Sequence, residues 1–194
     1  STKGIVALGV NILIDRGLLN IDEPVARYWP EFEAEGKGIL TVGQLLSHQA
    51  GLMAIPVPSS PQRDMPFAIM LGKDGWMNTV NALAAATPAW SPTEQLFEYH
   101  GMTFGHLAGE LIRRVSGQSV VDFLKENILV PLGVEADVII GMDESDFGRV
   151  AVLAEGDGST DKGTAGRFNE PETRKAVIPS ANGHTNGRAL ARVY

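Results

Sequence analysis

The sequence contains no cysteine. Disulfide frameworks, thiolate zinc sites and cysteine nucleophiles are therefore excluded. That leaves the compartment open, with a slight preference for the cytoplasm. No apolar run approaches the roughly 20 residues a membrane-spanning helix needs, so no membrane span is expected. Cations are in the minority: 16 Lys and Arg face 23 Asp and Glu, for a net charge of −7. Nucleic-acid binders usually carry a basic face, so no nucleic-acid partner is expected. The four histidines show no H-x-x-x-H or other metal-ligand spacing. Gly4 and Gly9 lack phosphate-loop spacing, and no metal or cofactor is expected. Strand signals are scarce as well. Only the stretch 137–140 reads as a strand.

What is present is ordinary globular material, with 44% hydrophobic and 20% charged residues in 194 positions. Ile5, Leu8 and Ile12, with Val6, Val10 and Leu13, recur at helical spacing, and Gly17 is placed to end that helix. Residues 18–32 read as loop and turn, broken by Asp22, Pro24 and Pro30. Thr41 and Gln44 form a capping-box pattern opening a short helix through His48, stopped by Ala50 and Gly51. Four prolines mark 54–66 as a long irregular connection over a site. Further helices are predicted over 76–86, 103–115 and 119–128. Gly117 caps the second of these, and Ser119 is the N-cap of the third. Residues 154–186 are rich in Gly, Asp, Thr and Asn and read as loop, and Asn186 could cap a last helix over 187–194.

Several segments, in this order, resemble the serine β-lactamase-related proteins, especially the class C-like esterases. Ser1-Thr2-Lys3 resembles the end of the S-x-x-K motif and the helix it starts. Gly17 to Val25 resembles the passage G-x-L-x-L-D-x-P-V. Ile39 to Leu52 is similar to I-T-V-x-x-L-L-S-H-x-S-G-L, and Phe97 to His100 to the approach to the second motif, Y-x-N. Ser180 to Arg192 resembles a later N-G-x-x-x-N-A-R-x-L-A-R stretch.

The resemblance implies an α/β parent fold of the β-lactamase/transpeptidase type, of which this chain supplies a mostly helical part with little strand. It implies a serine hydrolase working through an acyl-enzyme, with a carboxylesterase as the expected activity. A β-lactamase, a D-alanyl-D-alanine peptidase or a non-catalytic binding protein on the same scaffold stands as the alternative. The substrate would be a small-molecule ester or lactam, and the oligomeric state is left open. The resemblance makes Lys3 and Tyr99 the catalytic candidates. A lysine three residues after the serine, in the first helical turn, sets its amine beside the hydroxyl. The tyrosine needs nearby positive charge to exchange protons at neutral pH, because a free phenol titrates near 10. A solvated lysine and a buried aromatic at a helix entry are the bland readings of the two.

Lys3 minus three falls one position before Ser1. Ser1 is only two residues from Lys3, which on a helix of about 100° per residue turns it to the opposite side. The chain is thus expected to be a partial domain, 1–194, truncated at both ends and inactive alone. Ser1 as nucleophile in a distorted turn is the other possibility. Position 101 is Gly where the motif has Asn, a departure that favours an esterase over a β-lactamase. His48 reads as a structural histidine, with a general base as its rival. Trp29, Trp76 and Trp90 are candidates for a cleft wall or for the core. Gly183-His184-Thr185 has only a superficial likeness to the third motif, K/H-x-G.

Overall fold

The computed structural model describes residues 1–54 and 67–194. Apart from residue 54, the connection expected over 54–66 lies outside them. Helix α1 (Thr2–Asp15) buries Ile5, Val6, Val10 and Leu13, the apolar stripe its spacing foretold. Gly9 lets it approach closely: a Cβ there would meet Leu124 Cδ2 at 2.7 Å and Ile112 Cδ1 at 2.9 Å. Gly17 follows with φ +68, the left-handed turn that ends the helix.

The stretch read as loop is irregular, with 3-10 turns at Val25–Arg27 and Pro30–Ile39. It is nevertheless core. Trp29 and Phe32 are fully buried, with ring centroids 4.9 Å apart. Lys37 is also sealed in: its Nζ donates to Ala34 O at 2.6 Å and Ala86 O at 2.5 Å, at the C-terminal end of α3 (Gly75–Ala85). Helix α2 (Val42–Leu46) opens on the expected capping box. Thr41 Oγ1 accepts from Gln44 N at 3.1 Å, and Gln44 Oε1 accepts from Thr41 N at 3.0 Å. The helix stops before His48 rather than running through it, because His48 itself takes φ +64.

Helix α4 (Phe104–Ser116) is the axis of the molecule and packs against α1, α2, α3 and α5. Every residue from Phe104 to Ile112 is buried, not just one face. Gly117 caps it at φ +75. Ser119 Oγ accepts Asp122 N at 3.1 Å at the start of α5 (Val120–Leu124). The run continues as a π-turn, Lys125–Leu129, and α6 (Val130–Leu132). Pro131 has no N–H and its ring crowds the carbonyl four residues back, so the widened turn just before it relieves that clash.

Strand β1 (Val138–Ile140) is where expected. The reading of 154–186 as loop is corrected: it holds α7 (Gly163–Asn169), α8 (Pro171–Lys175) and β2 (Gly183–Thr185). Helix α7 has no local cap. Glu155 Oε1 instead accepts Ala165 N at 2.7 Å from ten residues away, a signal no helical pattern carries. Strand β2 pairs antiparallel with β1, Ile139 opposite His184, so its strand character comes from its partner. Asn186 Oδ1 accepts Ala189 N at 2.9 Å and caps α9 (Gly187–Val193). Among the described residues the chain is thus mostly helical with two short strands.

Candidate active site

Lys3 leaves the first turn of α1 pointing toward the start of α4. Its Nζ donates to Gly101 O at 2.6 Å and to Ser180 O at 2.9 Å. It also lies 4.8 Å from the centroid of the Tyr99 ring. The fold therefore brings the two candidates together. Neither bland reading fits: Lys3 is anchored rather than solvated, and Tyr99 is 65% exposed rather than buried. Their contact is cation to ring face; the amine's hydrogen bonds go to carbonyls.

The carbonyl of Ser180 is itself fixed. Ser180 Oγ donates to Met102 O and accepts from Gly105 N, both at 2.6 Å. Asn182 closes the turn behind it. Its Oδ1 accepts from Ile178 N at 3.1 Å, and its Nδ2 donates to Thr173 O at 2.9 Å and Ala176 O at 2.6 Å. Gly183 N donates to Thr2 Oγ1 at 3.2 Å, tying this turn to α1. Gly105 is required here, since a Cβ would fall on the backbone of Pro179 and Ser180.

The segment carrying Tyr99 is stapled to residues 48–52. Glu98 N donates to His48 O at 3.2 Å and His100 N to His48 Nδ1 at 3.1 Å. Leu52 N donates to His100 Nε2 at 3.0 Å, and Thr103 Oγ1 to Leu52 O at 2.6 Å. Because Nε2 of His100 accepts, its proton sits on Nδ1, which donates to Glu98 O at 2.7 Å. Burial pushes His100 down to about 4, against the pull of the Glu98 carbonyl and with that of His48. Burial and then the charge of Lys3 lower His48 as well. His48 is thus a hydrogen-bonded histidine.

The tryptophans are tied into the frame. Trp29 is core, Trp76 Nε1 donates to Glu110 Oε2 at 3.0 Å, and Trp90 Nε1 donates to Gln49 O at 3.0 Å. Sequence reasoning missed Ser180 as a lysine anchor, and nothing in its neighbours marks it. The role of position 101 was also missed: the backbone carbonyl of Gly101, not a side-chain amide, meets the lysine.

A family model described as Beta-lactamase matches residues 1–194. The chain belongs to the beta-lactamase family. The Mycobacterium tuberculosis protein named esterase/beta-lactamase LipL is 32% identical over 223 aligned residues, covering 100% of this chain and 48% of the relative. A solved family VIII carboxylesterase superposes with a TM-score of 0.85 at 37% identity, covering 100% of this chain and 52% of the other. A penicillin-binding protein homologue from Caulobacter crescentus gives 0.78 at 37% identity, covering 98% and 52%. The chain therefore spans about half the length of the proteins it matches here, and its fold is that of β-lactamase and transpeptidase-type esterases. No helix among the described residues is long and apolar enough to cross a membrane.

Proposed function

We propose that this chain carries the lysine–tyrosine half of a serine carboxylesterase site. The observation that carries the reading is the meeting of Lys3 and Tyr99, 4.8 Å from amine to ring centroid, on a beta-lactamase-family scaffold. In the proposed reaction a serine three positions before Lys3 attacks the ester carbonyl and expels the alcohol, leaving an acyl-enzyme that water hydrolyses. Tyr99 takes the serine proton and returns it to the leaving alcohol, and the positive charge of Lys3 beside it favours that transfer. The two carbonyls on Lys3 use two of the three donors of an ammonium and fix its place.

Gly101 supports an ester over a lactam, since the side-chain amide of Y-x-N is absent. The penicillin-binding homologue, equally 37% identical, supports a second reading, turnover of a β-lactam or D-alanyl peptide. The test begins at the gene. A serine codon immediately before Ser1 and a K/H-x-G after Tyr194 are expected; another residue before Ser1 defeats the proposal. The protein that gene encodes should then turn over p-nitrophenyl butyrate faster than a chromogenic cephalosporin. Lys3→Ala and Tyr99→Phe should each cost about 100-fold or more in kcat. Faster cephalosporin turnover selects the second reading.

A further inference from the structure

We propose that His48 is the positioning residue for Tyr99, holding the backbone on both sides of it at once. The inference rests on the catalytic role proposed for Tyr99. Tyr99 needs an outside hold, because its own neighbourhood is open: Leu96 is 50% exposed, Phe97 78% and Tyr99 itself 65%. Side-chain packing cannot fix a phenol in such a place. The hold comes through the peptide groups instead. The residue before Tyr99 donates its N–H to the His48 carbonyl, and the residue after it donates to His48 Nδ1. The His48 ring also packs 5.1 Å from the Tyr99 ring and 5.0 Å from Phe104, between the tyrosine and the start of α4.

The backbone of His48 is bent to do this. With φ +64 it is among three non-glycine residues in the left-handed region among the described residues. Such a conformation is strained for a residue with a Cβ, and His, Asn and Asp tolerate it best. Glycine would remove the strain but could not offer Nδ1. A side chain that accepts a hydrogen bond while sitting in a left-handed turn is what the position demands.

The hold works only while Nδ1 is unprotonated. The titratable groups facing the His48 ring are Lys3 from α1, and Tyr99 and His100 from the stapled segment. Burial and then the positive charge of Lys3 keep the imidazole neutral near pH 7, and the neutral His100 adds no charge of its own. Protonation would set an N–H against the His100 N–H and release one side of the tyrosine.

Two measurements test this. In the 194-residue chain, the His100 amide resonance should move with pH as His48 titrates below its ordinary range, and a His100 ring reporter, which follows its own step near 4, distinguishes the two titrations. An amide blind to the His48 titration overturns the proposal, and this readout needs no variant and no activity. In the gene-encoded esterase, His48→Gly should lower kcat by about 10- to 100-fold with KM little changed, the loss expected of a misplaced catalytic group. His48→Asn, which keeps an acceptor and tolerates the left-handed turn, should recover most of that loss and abolish the acid limb that His48 gives to kcat. Full kcat in His48→Gly, with Tyr99→Phe still inactive, sinks the positioning role alone. Full kcat in Tyr99→Phe sinks the catalytic reading and this one with it.

Discussion

Two imidazoles closed off from water should make this protein lose stability in mild acid. His100 and His106 are both completely buried. Burial pushes each from 6.5 down to about 4. The unfolded chain binds these protons near 6.5 and the folded chain only near 4. Between those values the unfolded state carries more protons, so stability is intact above 6.5 and is lost progressively as pH falls toward 4. At 1.36 kcal/mol per unit, the loss approaches about 3 kcal/mol for each histidine. That is a large part of the roughly 5–15 kcal/mol that holds a domain together. Burial displaces His48 and His184 in the same direction. Glu110 does not interfere. Burial raises its carboxyl, but hydrogen bonds from Arg113, Arg114 and Trp76 outweigh that, so it titrates below 4.5 and its contribution is lost only in stronger acid. The assay is urea unfolding of the 194-residue chain by far-UV circular dichroism at pH 7.5, 6 and 5. The control is His106→Leu. Although the Met102 and Val177 carbonyls lie near, neither ring nitrogen of His106 has a hydrogen-bond partner among the described residues. Leucine therefore orphans nothing and should remove the His106 share of the pH dependence, which approaches about 3 kcal/mol. A midpoint that stays flat from pH 7.5 to 5, or a His106→Leu slope equal to that of the parent, would refute the reasoning.

Gly105→Ala should destabilise the chain by about 2–3 kcal/mol, because its Cβ would drive the Pro179–Ser180 backbone off α4. A melting temperature within a degree of the parent would contradict this. Glu110→Gln should cost roughly 3 kcal/mol in urea unfolding at pH 7.5, at the low end for a broken buried pair because the Arg113 side chain is 36% exposed. An unchanged midpoint would mean that the Arg113–Glu110–Arg114 cluster only offsets its own desolvation.

Much of the helical frame was legible because its signals are local. The α1 stripe, the Thr41–Gln44 box, the glycine stop at Gly117 and the caps at Ser119 and Asn186 each lie within a few residues of what they control. Helix α7 and strand β2 were not, because the first is capped by Glu155 and the second is made by β1. The burial of Trp29 and Phe32 inside a stretch read as loop is likewise a tertiary fact. Lys3 and Tyr99 were named from the family resemblance, and no spacing could have shown that they meet. The left-handed turn at His48 was invisible because the sequence offers no glycine there to advertise it.

The sealed lysine of the irregular stretch has a use of its own. Lys37 plugs two carbonyls with an ammonium that solvent does not reach, while other lysines such as Lys73 and Lys125 stand exposed. An amine-acylating reagent meets the exposed lysines at once but reaches Lys37 only when the turn around Ala34 lifts away from the end of α3. The lag between the two labels, read by mass spectrometry, is a built-in clock for how often this seam of the molecule opens.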